Sequence, residues 1–219
     1  MSPDLRPFLR FLLGRFHGGQ DLDLPAGLVE AATRDTIADV RHHYDVTAEE
    51  VARRVSSNQN ELAVFLYRLG RRAYEDQPRR ADLLEALHGL MRSCCACEVY
   101  FSNAIGEGFY MVHGLGTVIG SRNTIGKGFQ IYQGCTIGHR QDFEDGCLIG
   151  DNVIMYTQAM ILGPVRIGDD VVIGAGCQIM SDVPAGTICQ AASDYRLLTR
   201  KSTSNQPLPR GGHNAKGPS

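Results

Sequence analysis

The chain has 219 residues and a formal net charge of −2, from 22 basic and 24 acidic side chains. This balance excludes a general electrostatic attraction to nucleic acid or to an anionic membrane, and no apolar run approaches the ~20 residues that cross a bilayer. The N-terminal segment MSPDLRPFLRFLLGRF has apolar residues at helical spacing but no small-residue cleavage site after a hydrophobic block. We therefore expect a soluble cytoplasmic protein of one large domain or two small ones.

Residues 1–93 are predicted to form a helical N-terminal domain. The segments that begin at Pro25 and Pro78 place apolar residues three and four apart, as one face of a helix does. Between them, residues 47–76 open with Thr47 and Glu50 at the spacing of a capping box and continue in one apolar stripe. Three histidines of this region are interpreted as surface or packing residues: His42, His43 and His88.

The cysteines are expected to be free thiols. There are seven of them, an odd number, and no secretory signal accompanies them, which argues against a disulfide framework. Cys94, Cys95 and Cys97 form a cluster, but no second pair of Cys or His follows at the spacing of a zinc finger. We interpret the cluster as small buried side chains at a helix-to-strand junction and expect no metal.

From about residue 99 the apolar pattern changes to a period of six. Eleven consecutive positions at this spacing are large and apolar: Ile119, Ile125, Ile131, Ile137, Phe143, Ile149, Met155, Ile161, Ile167, Ile173 and Ile179. Glycine directly follows many of them: Gly120, Gly126, Gly138, Gly150, Gly168 and Gly174. Such a repeat has to be interpreted before any other signal.

A six-residue period fits neither an amphipathic helix nor a simple alternating strand. It fits a chain that turns after each short strand and points one large side chain inward per face, so that three faces make one coil of a parallel β-helix. The glycines are expected to relieve the turns, where φ can be positive. We predict this domain over residues 94–198, followed by a polar, Pro- and Gly-rich tail, residues 199–219, that is expected to be disordered.

Three stretches resemble the hexapeptide-repeat acyltransferases, and most closely the serine O-acetyltransferases. They are AVFLYRLGRRAYE, EVYFSNAIGEGFYMVHGLGTVIG and GPVRIGDDVVIGAGCQIMSDVPAGT. The resemblance implies an α+β fold in which a helical N-terminal region precedes a left-handed parallel β-helix. It also implies a homotrimer or a dimer of trimers, acetyl-CoA as the acyl donor, a small-molecule acceptor, and no metal, nucleic-acid or membrane partner.

The resemblance places the catalytic residues at His113 and Glu98. Family members carry the catalytic histidine where the period is interrupted, before a pattern like HGLGTVIG, and an acidic residue that hydrogen-bonds it fifteen residues earlier. Imidazole, with an ordinary pKa of about 6.5, can act as a general base at neutral pH. A carboxylate on its far nitrogen fixes the tautomer and stabilises the imidazolium. Tyr100 replaces the second histidine of the family.

The acceptor side departs from the family pattern. The family has an aspartate directly before the catalytic histidine and another acid eight residues after it, where this chain has Val112 and Ser121. His139 and Arg140 align with the Arg-His pair of the family only across a gap, and could bind an acceptor carboxylate or phosphate. These four residues are the predicted substrate-binding set, and the two replacements put serine itself in doubt.

The resemblance assigns the closing coils to the coenzyme. The predicted binding residues are Tyr156, Thr157, Gly174, Ala175 and Arg196. The last of these lies in ASDYR, residues 192–196, which stands where the family has G-V-P-A-R.

Several functions stay open on the sequence alone. The acceptor could be a serine-like amino acid, or a sugar or specialised-metabolite hydroxyl, or an amine. A zinc carbonic anhydrase on the same fold would need three converging histidines, whereas the β-helix offers only His113 and His139. The chain could also be a non-catalytic β-helix that serves as a scaffold.

Overall fold

The computed structural model describes residues 3–16, 22–76, 80–139 and 145–192. The described helices are α1 (Arg6–Phe16), α2 (Ala26–His43), α3 (Ala48–Ser57), α4 (Gln59–Glu75) and α5 (Ala81–Cys95). None of them is long and apolar enough to cross a membrane. The predicted tail, residues 199–219, lies outside the described residues.

Residues 47–76 form two helices rather than the single segment that the apolar stripe indicated. Thr47 begins α3 with the predicted capping box, in which Glu50 is the second partner. The break falls at Asn58, which has extended backbone angles, donates its N–H to the Arg54 carbonyl, and accepts a hydrogen bond from the Asn60 N–H with its side chain. Asn side chains favour such caps because they compete with the helical backbone for its donors.

Short strands follow α5 without interruption by any further described helix. They are β1 (Glu98–Val99), β2 (Ala104–Ile105), β3 (Tyr110–Met111), β4 (Val118–Ile119), β5 (Thr124–Ile125), β6 (Gln130–Ile131), β7 (Thr136–Gly138), β8 (Leu148–Ile149), β9 (Ile154–Met155), β10 (Met160–Leu162), β11 (Arg166–Ile167), β12 (Val172–Ile173), β13 (Gln178–Ile179) and β14 (Ile188–Cys189). All pair in parallel and build three sheets, which we name face A (β1-β4-β7-β10-β13), face B (β2-β5-β8-β11) and face C (β3-β6-β9-β12-β14).

The result is the predicted left-handed parallel β-helix, with four full coils and a shorter fifth in the described residues. The inward side chains stack directly on one another, as in the column of Val99, Ile119, Ile137 and Ile161 on face A, all of which are fully buried. One large apolar side chain per face and coil therefore makes a continuous core.

The spacing between stacked residues locates two insertions. Ile105 pairs with Ile125, twenty residues later, because two extra residues lie between β3 and β4. Ile125 pairs with Ile149, twenty-four residues later, because the chain needs twelve residues rather than six to pass from β7 to β8. The second insertion adds six residues, which is one repeat of the pattern. The series of apolar residues at every sixth position therefore continues across it without a break. Phe143, which belonged to that series, lies outside the described residues.

The glycines that follow the inward residues serve a different purpose from the one expected. Their φ angles are not positive; the positive φ angles occur elsewhere, for example 66° at Gly134. A Cβ at Gly126 would lie 2.2 Å from Asp151 Oδ1 and 2.6 Å from the Gly150 carbonyl carbon of the next coil. Gly126, Gly150, Gly168 and Gly174 require glycine because the coils approach each other closely there, whereas a Cβ at Gly138 would meet no atom closer than 3.7 Å.

A buried ion pair joins the helices to the first coil. Arg68 on α4 donates two hydrogen bonds of 2.7 Å to Asp39 on α2, and two more of 2.7 Å to the carbonyls of Ile105 and Gly106. Asp39 also accepts from the N–H groups of Gly108 and Phe109. Helix α4 is thereby fixed relative to the β-helix, beside the first of the two insertions.

Candidate active site

The first insertion consists of His113 and Gly114. Backbone hydrogen bonds between neighbouring coils show which residues are equivalent. Val112 in the first coil is equivalent to Tyr132 in the second, and Leu115 is equivalent to Gln133. In the second coil those two positions are consecutive, whereas here two residues separate them. The extra pair bulges from the edge between faces C and A, so the sequence-predicted catalytic histidine is the residue that leaves the regular stack.

The imidazole of His113 is exposed at this edge. Its described neighbour is Tyr132, whose ring lies edge-on with the centroids 6.3 Å apart. Among the described residues His113 makes no hydrogen bond. The ring is thus available to an incoming group rather than being occupied by the fold.

Glu98 begins β1, on the chain directly adjacent to the bulge. The Gly116 N–H donates to the Ala96 carbonyl at 2.8 Å and the Glu98 N–H donates to the Thr117 carbonyl at 2.9 Å, so the His113 corner packs on the segment that carries Glu98. The Glu98 carboxylate faces Arg92 at 3.5 Å, and its side chain is 23% exposed. Within the described residues no hydrogen bond joins Glu98 to His113.

The predicted coenzyme residues lie along the same edge as His113. Tyr132 and Tyr156 occupy equivalent positions in the second and third coils, with ring centroids 4.9 Å apart. Gly174 takes this position in the fourth coil, and a Cβ there would lie 2.7 Å from the Cys189 carbonyl oxygen. Thr157 and Ala175 directly follow Tyr156 and Gly174. We call this row of His113, Tyr132, Tyr156 and Gly174 the aromatic edge; Arg196 lies outside the described residues.

Two of the predicted acceptor residues lie at a different edge. His139 follows β7 and Ser121 follows β4, so both lie between faces A and B. His139 Nε2 is 3.0 Å from the Ser121 carbonyl oxygen, and its Nδ1 is buried without a partner among the described residues. The whole width of face A separates this pair from His113. Arg140 lies outside the described residues.

Known proteins share both the repeat and the fold. The family description "Bacterial transferase hexapeptide (six repeats)" matches residues 146–181. The serine acetyltransferase of Helicobacter pylori is 34% identical over 119 residues, which span 53% of this chain and 68% of that protein. The chain belongs to the serine acetyltransferase family.

Solved structures of this family have the same fold. A crystal structure of the Neisseria gonorrhoeae serine acetyltransferase gives a TM-score of 0.71 at 23% identity, over 92% of this chain and 82% of that chain. Soybean serine acetyltransferase complexed with serine gives a TM-score of 0.70 at 26% identity, over 86% and 83% respectively. The predicted fold class is confirmed, and this member of the serine acetyltransferase family is an acyltransferase, as the resemblance implied.

One residue beside His113 was not predicted from the sequence. Asn60, in the first turn of α4, donates from Nδ2 to the Val112 carbonyl at 3.1 Å and accepts at Oδ1 from the Gly114 N–H at 2.8 Å. It therefore contacts the backbone on both sides of His113. The signal that could have pointed to it is the Ser-Ser-Asn run before it, which marks a helix break.

The thiols of Cys95 and Cys97 are poor nucleophiles. Burial raises the pKa of Cys97 to about 12 and also raises that of Cys95, so both stay protonated and poorly nucleophilic at neutral pH. All seven cysteines are free, as expected. In the part of the chain that the structure describes, no three His, Cys, Asp or Glu side chains converge as metal ligands.

Proposed function

We propose that the protein transfers the acetyl group of acetyl-CoA to the hydroxyl of serine or of a closely related small acceptor. The observation that carries the proposal is the position of His113, an exposed imidazole lifted out of the stack at the start of the aromatic edge. The identity of 34% with a serine acetyltransferase over 119 residues supports both the reaction and the acceptor class.

The chemistry is a direct transfer between donor and acceptor. His113 removes the proton of the acceptor hydroxyl while that oxygen attacks the thioester carbonyl carbon. A C–O bond forms, the C–S bond breaks, and the proton held by the imidazole passes to the departing coenzyme A thiolate. The products are an O-acetyl ester and free coenzyme A, and no acyl-enzyme is formed.

Glu98 is proposed to orient the imidazole. A carboxylate on the nitrogen that does not face the acceptor would fix the tautomer and stabilise the cation that forms. The packing of the His113 corner on the segment before Glu98 supports this role, because the two residues share one edge of the first coil. Glu98 would exchange its contact with Arg92 for one with His113 as the acceptor binds, since catalytic hydrogen bonds often tighten only in the complex.

The donor is proposed to lie along the aromatic edge. Tyr132 and Tyr156 offer a flat, partly exposed apolar strip next to His113, and Gly174 continues the row without a side chain. Thr157, Ala175 and Arg196 are the other proposed contacts with acetyl-CoA.

The active site is proposed to be complete only in an assembly. His139 and Ser121 belong to the edge between faces A and B, and face A keeps that edge away from His113 within one chain. A second copy could bring its own A–B edge against the aromatic edge of the first. A homotrimer, or a dimer of trimers, would close three such clefts around one axis.

A second acceptor class follows from Val112. An aspartate at this position would hold the ammonium of serine, whereas valine offers no charge and its carbonyl already accepts from Asn60. This favours, as the alternative, an acceptor whose hydroxyl is recognised without an adjacent ammonium, such as a sugar or specialised-metabolite alcohol. An amine acceptor would use the same base.

The test is acetyl-CoA-dependent thiol release with a panel of acceptors. L-Serine and N-acetyl-L-serine separate recognition of the ammonium from recognition of the hydroxyl. His113→Ala is expected to lower kcat by about 10² to 10⁴ with little change in KM, whereas Leu115→Ala, on the same corner, should retain most of the activity. Unchanged turnover in His113→Ala would remove the proposed base and favour a non-catalytic β-helix.

A further inference from the structure

We propose that Asn60 is a positioning residue that holds the His113 corner in the geometry required for proton abstraction. The proposal deepens the proposed function and rests on it, because it takes His113 to be the general base. It concerns a residue of the helical domain, 53 positions before His113 in the sequence.

The insertion creates backbone groups that the coil ladder does not serve. In the regular coils the N–H of the residue after a strand donates to the carbonyl of the strand residue in the next coil, as Tyr132 N–H does to the Met155 carbonyl. His113 and Gly114 have no equivalents in the second coil, since Tyr132 is followed directly by Gln133 there. Polar backbone groups without a ladder partner must find another one or remain exposed to water.

The Asn60 carboxamide supplies that partner on both sides of the histidine. One side of it donates to the Val112 carbonyl and the other accepts from the Gly114 N–H. An amide presents a donor and an acceptor at a fixed separation, whereas a neutral-pH carboxylate only accepts. The pair of contacts closes a clamp around a single residue, His113.

The clamp is itself held in place. The Asn60 N–H donates to Asn58 Oδ1 at 2.9 Å in the N-cap of α4, and the same helix is fixed to the first coil through Arg68. The His113 corner is also closely packed at Gly114, where a Cβ would lie 3.0 Å from Met111 Cε and 3.4 Å from Asn60 Oδ1. The corner therefore fits closely against Asn60 and has little space to shift toward it.

Asn60 bonds to the backbone on either side of His113 and makes no hydrogen bond to the imidazole, so its effect on the reaction passes through geometry. Release of the clamp would let the two inserted residues move, and a displacement of about 1 Å can cost as much as about 10² in rate. Such a loss appears in kcat, since the acceptor and donor contacts remain.

The experiment compares Asn60→Ala with Gln59→Ala, an exposed neighbour on the same helical turn that makes no described side-chain contact. Asn60→Ala is expected to lower kcat about 10- to 100-fold with little change in KM, while Gln59→Ala stays near wild type. In a His113→Ala background, Asn60→Ala should cause no further loss, because a residue that acts only through the base has nothing left to position. Asn60→Asp should behave like Asn60→Ala at neutral pH.

Two kinetic results would overturn the clamp: wild-type kcat in Asn60→Ala and Asn60→Asp, or losses that simply multiply with that of His113→Ala. A readout independent of turnover is the ring-proton NMR signal of His113, identified by its loss in His113→Ala. Release of the clamp should shift or broaden that signal in Asn60→Ala and leave the His88 signal in place; an unaltered His113 signal contradicts it. Failure of the proposed function is separate, since it appears as absent thiol release in the wild-type protein.

Discussion

The ion pair between Arg68 and Asp39 should contribute far more to stability than a second pair of the same geometry on the same helix. Arg72, one turn later on α4, donates to Asp35 at 2.8 and 2.9 Å, nearly the geometry with which Arg68 meets Asp39. The pairs differ in burial: the side chains of Arg68 and Asp39 are 10% and 1% exposed, those of Arg72 and Asp35 45% and 28%. Arg→Met at each position removes the charge and keeps a long side chain.

The magnitudes follow from what each substitution leaves behind. Arg68→Met leaves a buried carboxylate without its cation, and the buried Ile105 carbonyl and the half-buried Gly106 carbonyl without this donor, which should cost about 3–5 kcal/mol of the free energy of unfolding. Arg72→Met leaves only solvated groups and should cost about 0–1 kcal/mol. Adding Asp39→Leu to Arg68→Met should not restore stability, because the N–H groups of Gly108 and Phe109 then lose their acceptor.

Urea unfolding followed by far-ultraviolet circular dichroism measures these differences as shifts of the transition midpoint at constant slope. The reasoning is wrong if Arg68→Met and Arg72→Met shift the midpoint equally, since burial would then have no effect on the pair. It is also wrong if the Asp39→Leu and Arg68→Met double variant recovers wild-type stability, because the bonds to the first coil would then be dispensable.

Two further predictions concern pH and glycine. Burial lowers the pKa of His88, which stacks on Phe101, so the folded state binds the proton less readily than the unfolded chain. The associated stability is present above the ordinary pKa of about 6.5 and is lost as the pH falls below it; His88→Phe should flatten this loss in melting temperatures measured between pH 5 and 8, and an unchanged slope would contradict it. Gly126→Ala should destabilise the protein, because its Cβ would meet the next coil, whereas Gly14→Ala, with open space in α1, should raise the free energy of unfolding by about 0.5–1 kcal/mol; equal urea midpoints for the two variants would refute the close approach.

The β-helix could be predicted because its core depends on a local rule. Each inward residue lies about six positions from the next, so Ile119, Ile125 and Ile131 report three successive faces without any long-range information. The same locality explains the error at the second insertion. An added segment of six residues leaves the six-residue spacing intact. Only the pairing of Ile125 with Ile149 shows that these six residues do not form a further strand of the β-helix.

The contacts around the site could not be predicted because they join distant segments. His113 was identifiable because the six-residue period is interrupted there. The structure shows that the two extra residues are His113 and Gly114. Asn60 required two facts absent from the periodicity, the helix break at Asn58 and the docking of α4 on the first coil. The contact between Glu98 and Arg92 likewise depends on how α5 leads into β1.

The irregularities of the solenoid explain where its chemistry can reside. A parallel β-helix remains stable only if every strand meets its equivalent in the next coil, so added residues are tolerated at corners and not within faces. Both insertions lie at corners that border face A: His113 and Gly114 at one edge, and the longer segment that begins after His139 at the other. Residues released from the stack no longer serve the core, and they are free to carry catalytic or binding groups. Face A separates the two corners, so the proposed site needs a second copy to bring its edge between faces A and B against the aromatic edge of the first.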